Sequence, residues 1–371
     1  MPVPAPRALP LLDEVAALVS CESPSGDPVA TAACARTAAQ IGTAMLGQPP
    51  EELAGGGRTH LRWRFGDSCR VLLLGHLDTV WPLGTLARWP FDVQGDRMTG
   101  PGVFDMKAGA VQLLAAVSQL ADPDGVWVLL TCDEEIGSPG SRPLIAQALR
   151  GALAALVFEP SADGAVKTAR KGVSQYTMRI AGRAAHAGLE PERGINAAIE
   201  AANQVLAIAV LADPAAGTTV TPTVISAGTA ANVVPAEASV AVDVRAATLA
   251  EQDRVDAALR GLRPAVTGAT LALAPGMKVP PLEPECSRGL FTLAARAAAE
   301  LGLPAPRGVS VGGGSDGNFT AAAGVETLDG LGAVGGNAHA EGEWASVTAM
   351  PERAALAAGL IRLILRRSAS G

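Results

Sequence analysis

The chain has 371 residues, of which 49% are hydrophobic and 18% charged, and a net charge of −7. That length fits two domains, or one domain carrying an insertion. An acidic balance with no basic block argues against nucleic acid as a partner, and no apolar run approaches the roughly 18 residues of a membrane span.

The N-terminal M-P-V-P-A-P-R-A-L-P-L-L predicts an extended arm, and its apolar stretch stops at Asp13, too soon for a leader peptide. Residues 13–20 and 28–46 predict helices. Leu61–Phe65 alternates like a strand with one wet face. Val71-Leu72-Leu73-Leu74 reads as a buried strand, and Gly75, His76, Leu77 and Asp78 follow at its end. In open α/β sheets ligands bind at the carboxyl ends of strands. Gly95-Asp96 marks a hairpin. G-P-G-V-F-D-M-K-A-G-A (100–110) opens a helix running to 121. Val126–Thr131 is a second buried strand, followed at once by Cys132-Asp133-Glu134-Glu135. A helix over 141–150 leads to a third, Ala154–Phe158, ending in Glu159-Pro160. Strand, helix, strand, helix, strand is an α/β pattern. The five cysteines are odd in number, widely spaced and free of C-x-x-C, which predicts reduced thiols in a cytoplasmic setting, with Cys132 a packing residue.

From 172 the texture changes. Gly172–Ala181, Thr218–Ala227, Ala236–Arg245 and Thr270–Leu273 predict strands. Gly194–Leu211 predicts a helix, with Ile195, Ile199, Ala202, Leu206 and Ala209 as its apolar face. Thr248-x-x-Glu251 is a capping box opening a helix over 248–262. The order βαββαβ is that of a ferredoxin-like split sheet. The first domain then resumes with helices at 284–302 and 348–367, a strand at 308–311, the loop G-G-G-S-D-G-N-F (312–319) and the polar loop Asn337–Glu341. The predicted domains are thus 1–171 with 281–371, and 172–280.

His76, Asp78, Asp105, Glu134, Glu135 and Glu159 gather at strand ends or helix starts, with His339 near the C-terminus. Carboxylates converging on one edge of a buried sheet repel strongly at low dielectric. A divalent cation, or two sharing a carboxylate, resolves that repulsion, and mixed His and carboxylate donors suit Zn2+, with Co2+ or Mn2+ as alternatives. The glycines at 312–314 lack the Lys-Ser/Thr of a P-loop. They read as backbone, including Gly313, packed close to a substrate, with Ser315 and Asp316 structural.

G-H-L-D-T-V, G-P-G-V-F-D-M-K-A-G, T-C-D-E-E-I-G-S-P-G-S and F-E-P-S resemble the motifs of the co-catalytic dizinc aminoacylase and carboxypeptidase family. K-G-V, A-A-H-A-G-L-E-P-E-R-G-I-N-A, N-V-V-P-x-x-A and G-G-G-S-D-G-N-F resemble it too. The resemblance covers 60–367 and is nearest to the glutamate carboxypeptidase branch. It implies a mixed-sheet α/β/α zinc-peptidase catalytic domain with an inserted ferredoxin-like lid and dimerisation domain, hence a homodimer. It implies that Asp105 bridges two Zn2+ ions, that His76 and Glu159 complete one site, and that Glu135 and His339 complete the other. Asp78 would hydrogen-bond His76 from behind. Glu134 would be the general base, taking a proton from the attacking water and handing it to the leaving amine. A cis peptide is implied between Asp105 and Met106. His186, often supplied by the partner subunit in this family, and Asn232 would bind the substrate carbonyl. Arg245 and Lys171 are candidate contacts for a substrate carboxylate.

One departure stands out: where the branch carries G-R-P this chain reads Gly276-Met277-Lys278, so a preference for C-terminal glutamate is not carried over. The expected activity is hydrolysis of the amide bond of an N-acyl amino acid or short peptide next to a free carboxylate. A deacylase or dipeptidase of non-glutamate specificity is the nearest alternative, and an inactive amino-acid-binding protein is the rival from another class. A phosphate-ester enzyme lacks an Arg or Lys cluster near the ligands.

Overall fold

Four apolar residues in succession make Val71–His76 a strand buried along its whole length. In the computed structural model, which describes residues 11–367, it is an inner strand of a six-stranded sheet. The strand order is 51–55, 58–64, 126–131, 71–76, 154–157, 326–328. Val126–Thr131 and Ala154–Val157 flank it in parallel, so three strands end at one edge. Alternation sends Val71 and Leu73 to one face, against a cluster that includes Leu113 and Ile361, and Leu72 and Leu74 to the other, with Ile145 and Leu149. The expected mixed-sheet α/β/α layering is therefore present. The predicted arm over residues 1–10 lies outside the described residues.

A second unit comprises residues 170–282 together with 312–314. Its sheet runs in the order 219–227, 237–246, 172–181, 270–279, every pair antiparallel. Helices Ala197–Ala209 and Leu249–Gly261 complete the βαββαβ order of a ferredoxin-like sheet. At its ends Arg170 and Leu282 exchange backbone hydrogen bonds of 2.9 and 3.0 Å.

Several local expectations change. The helix expected from 100 begins at Ala108, after a wide turn over Val103–Lys107. The cause is a competing acceptor: the N–H groups of Phe104 and Asp105 bond to the Glu343 carboxylate instead of to helix carbonyls. The Asp105–Met106 peptide is cis. The strand through 61–65 has no simple wet face, because Arg62 is buried and held by Glu51 of the preceding strand at 2.6 Å.

The helix of the second unit is turned relative to expectation. Ala197, Glu200, Ala201, Gln204 and Ile208 point inward, while Ile199 and Leu206 are 56% and 70% exposed. Buried Glu200 accepts N–H bonds from Ala265 and Val266, and Gln204 donates to Glu200 and to the Arg263 carbonyl. Those polar bonds set the inward face. At Thr248 only half of the capping box forms: Thr248 Oγ1 accepts the Glu251 N–H, while the Glu251 carboxylate takes the Thr218 hydroxyl and Arg254. All five cysteines are free thiols, and Cys132 is packed in the core. Among the described residues no helix is long and apolar enough to cross a membrane.

Candidate metal centre

The site forms where the parallel strands stop. His76 ends its strand opposite Thr131, and the turns after both strands carry Asp78 and Glu134-Glu135. Gly109 lets the Asp105 turn approach the third strand end, since a Cβ there would sit 2.2 Å from the Phe158 carbonyl oxygen. His339 arrives on the exposed loop after Gly336, in a left-handed conformation (φ 61°).

The structure brings six of the predicted residues together. His76 Nε2 lies 3.3 Å from Asp105 Oδ1 and 3.4 Å from Glu159 Oε1. His339 Nε2 lies 3.3 Å from Asp105 Oδ2 and 3.1 Å from Glu135 Oε1. Asp105 thus offers one oxygen to each imidazole. His76, Asp105 and Glu135 each place a ligand atom within 4.8 Å of the others, and so do His76, Glu134 and Glu159. Distance alone does not divide Glu134 from the ligands.

Asp78 departs from its expected contact. His76 Nδ1 bonds to the backbone carbonyl of Asp78 at 2.9 Å, while the carboxylate is 3.6 Å away. The carboxylate is instead the acceptor for the Ser25 hydroxyl (2.7 Å) and for the N–H groups of Glu134 and Glu135 (3.2 Å each). One residue therefore orients the imidazole through its main chain and the two glutamates through its side chain.

The electrostatics fit a cation. Burial penalises every charge in the cluster. For His76 that penalty is outweighed by Asp105, Asp78 and Glu159, which push its pKa well above the usual value. Asp105 and Glu135 raise His339 to about 10. Burial would raise Asp105 as well, but bonds to His339 and His76 hold it below the usual carboxylate range. Burial, then Glu159, push Glu134 well above it. Two imidazoles among four carboxylates form a donor set of mixed nitrogen and oxygen whose excess negative charge a divalent ion balances.

The remaining candidates belong to the second unit. His186 and Asn232 lie on paired segments, with the Ala187 N–H bonded to the Asn232 carbonyl at 3.0 Å. His186 Nδ1 accepts from the N–H groups of Gly188 and Leu189 (3.1 Å each), which assigns the ring proton to Nε2 in the neutral form. Arg245 is engaged by Asp243 through two bonds of 2.9 and 3.0 Å. Lys278 pairs with Asp253 at 3.2 Å. Lys171 is half-buried at the junction of the strands ending at Arg170 and starting at Gly172. The Gly313 and Gly314 carbonyls accept from Arg170 Nη1 (3.1 Å each), and a Cβ at Gly313 would meet only that nitrogen, at 3.9 Å.

Two supports of the site add to what the motifs give. Ser25, from the loop before the second helix, had no motif to mark it. Buried Asp316 takes the Ser138 and Thr131 hydroxyls, tying the loop after Glu135 to the strand end, and burial pushes its pKa up to about 7. Its place in G-G-G-S-D-G-N-F marked it only as structural.

Strand-end donors of this kind on an α/β/α sheet define a hydrolase of the metallopeptidase class. The chain belongs to peptidase family M20/M25/M40, whose model matches residues 72–363. It is 34% identical over 306 residues to carboxypeptidase G2 of Pseudomonas sp. (strain RS-16), covering 78% of this chain and 73% of that protein. It is 31% identical over 159 residues to a putative succinyl-diaminopimelate desuccinylase of Mycobacterium tuberculosis (strain ATCC 25618 / H37Rv), covering 41% and 44%. The fold is shared with a tripeptidase from Staphylococcus aureus (TM-score 0.76, 21% identity, 96% and 98% of the two chains). It is also shared with an M20 family metallo-carboxypeptidase from Sulfolobus solfataricus (TM-score 0.74, 15% identity, 96% and 99%).

Proposed function

We propose that this protein hydrolyses the amide bond between an acyl or peptidyl group and a C-terminal amino acid, using two Zn2+ ions, with Co2+ or Mn2+ as functional substitutes. The observation that carries this reading is Asp105, whose two oxygens each face one imidazole at 3.3 Å. His76, Glu159 and Asp105 would hold one ion; His339, Glu135 and Asp105 the other. When bound, such ions polarise the scissile carbonyl and make a water acidic near neutral pH.

The chain's own groups do the rest. The Asp78 carbonyl accepts a hydrogen bond from His76 Nδ1–H and so leaves Nε2 with its lone pair facing Asp105 and Glu159. Glu134, its main chain held by Asp78, accepts a proton from the attacking water and delivers it to the departing amine nitrogen. His186 Nε2–H, with Asn232, donates to the substrate carbonyl oxygen. Arg245 and Lys171 receive the substrate's free carboxylate, and the backbone at Gly313 packs close to the substrate.

Lys278 favours the narrower reading of a non-glutamate substrate. It replaces the branch's Arg and is paired with Asp253, which leaves a weaker claim on an acidic side chain. A panel of N-acyl glutamate, aspartate, phenylalanine and leucine, with matching dipeptides, tests both points. Release of free amino acid that stops on chelation and returns with Zn2+ is expected, fastest for the apolar members. No turnover on any member by zinc-loaded protein would favour an amino-acid-binding protein instead.

A homodimer through the second unit is part of the proposal. The outward face of helix Ala197–Ala209 and the residue after it present Ile199, Leu206 and Val210, the last 79% exposed. The edge strand Thr219–Ala227, against which this helix packs, exposes Val224 and Ile225. An apolar stripe next to an unpaired edge is suited to burial against a second copy. Leu206→Asp should convert a dimer to a monomer in sedimentation; a wild-type monomer would end this part of the reading.

A further inference from the structure

Glu343 is a fully buried carboxylate that none of the motif assignments uses. Four donors converge on it. Oε1 accepts the N–H groups of Phe104 and Asp105 at 2.8 Å each. Oε2 accepts the Gly102 N–H at 3.0 Å and the Trp81 indole Nε1–H at 2.8 Å. With two donors on each oxygen the carboxylate's acceptor capacity is filled, a geometry that requires the ionised form.

The bond to Asp105 matters most. Asp105 has non-helical backbone angles (φ −115°, ψ 94°) and precedes the helix, so no helical hydrogen bond fixes its N–H. Glu343 supplies the acceptor. At its other side Glu343 closes the loop that carries His339. Its own N–H bonds to the Ala340 carbonyl at 3.1 Å, the Ala340 N–H bonds to the Asn337 carbonyl at 3.0 Å, and Asn337 Nδ2 donates to the Gly342 carbonyl at 3.3 Å. One side chain thus joins two donors far apart in sequence.

We infer that Glu343 is a positioning residue of the metal centre: its carboxylate holds the Asp105 main chain in register with His339, so that Asp105 Oδ2 faces the second imidazole. Trp81 extends the same anchor to the loop that follows the His76–Asp78 turn. This inference rests on the two-metal reading proposed above.

Glu343→Gln tests it. The amide keeps the shape but turns one acceptor oxygen into a donor, which then confronts N–H groups. Zinc affinity of the folded protein, read by competition with a chromogenic chelator, should fall about 10–100-fold, the size expected for loss of an outer support of a metal ligand. At saturating zinc, kcat should fall while KM holds. A purely structural role would lower the melting temperature of the metal-free protein and leave zinc affinity within about twofold of wild type, which would overturn the inference. Trp81→Phe removes one donor and spares both N–H bonds next to Asp105, so a loss below about tenfold is expected. Should Glu343→Gln not fold, unchanged zinc affinity in Trp81→Phe would overturn the inference instead. Wild-type protein that binds no zinc is a separate result: it removes the two-metal reading, and this inference with it.

Discussion

The strand-end cluster and the substrate candidates of the second unit are built in opposite ways. His76, Asp78 and Glu159 are buried; His76 and Asp78 are each held by several partners, and Glu159 lies against His76. His186 and Asn232 are exposed and held mainly through short backbone pairings. The Arg245 guanidinium is engaged by Asp243, two residues before it on the same strand. The difference suits the two tasks proposed for these regions. A cation needs donors fixed in advance to a fraction of an ångström, which only packed elements and outer hydrogen bonds supply. A substrate side chain is met by exposed segments, where sequence can change without unsettling a core.

Breaking the buried half should have the largest effects. Glu134→Ala is expected to lower kcat about 10²–10⁴-fold while zinc content by elemental analysis stays at the wild-type level. Loss of zinc in that variant would move Glu134 to the ligand side, where the 4.8 Å cluster also allows it. Asp78→Ala comes next. It leaves the Ser25 hydroxyl and the Glu134 and Glu135 N–H groups without their acceptor. The Thr79 carbonyl still accepts from Ser25 at 3.3 Å, so two partly buried N–H groups are orphaned at about 1–3 kcal/mol each, and urea denaturation should show a loss of about 2–6 kcal/mol. In the exposed half, His186→Ala should reduce kcat/KM about 10–100-fold, the worth of one substrate hydrogen bond, with an unchanged melting temperature. Smallest of all, Arg245→Ala should shift stability by less than about 1 kcal/mol, as a partly exposed ion pair does, while raising KM. A stability loss as large as that of Asp78→Ala would erase the contrast between the two regions.

Much of the first region is legible in the sequence, because a short apolar run such as Val71–Leu74, closed by Gly75, fits a buried strand, and polar residues straight after it fall at the sheet edge. His76, Glu135 and Glu159 are legible that way, whereas Asp105, in a segment that opens a helix, and His339, in a polar loop, come from their motifs, with the family resemblance assigning all five to two ions. What stayed hidden depends on which atom of a residue is used, or on a partner distant in sequence. Asp78 reaches His76 through its carbonyl, a choice that residue type does not encode. Glu343 looks like one more acid in a polar loop until the turn at Asp105 is brought to it. Helix Ala197–Ala209 misled for a different reason: its strongest apolar stripe faces outward, and the inward face is anchored by Glu200 and Gln204. Periodicity finds a stripe but does not say what covers it.

The paired backbone bonds between Arg170 and Leu282 have a consequence for how the chain is threaded. The segment 170–282 leaves and re-enters at one point, like a hairpin whose tip has grown into a domain, while residues 312–314 join that unit from farther along the chain. Closing a loop of that length freely would carry an entropy cost that grows with the logarithm of its length. Here the closure is made inside the insert, by its own sheet and by this clasp. To the remainder of the chain the insert is no longer than a tight turn. Such a junction is where a fold tolerates exchange of one module for another, leaving the strand-end cluster undisturbed.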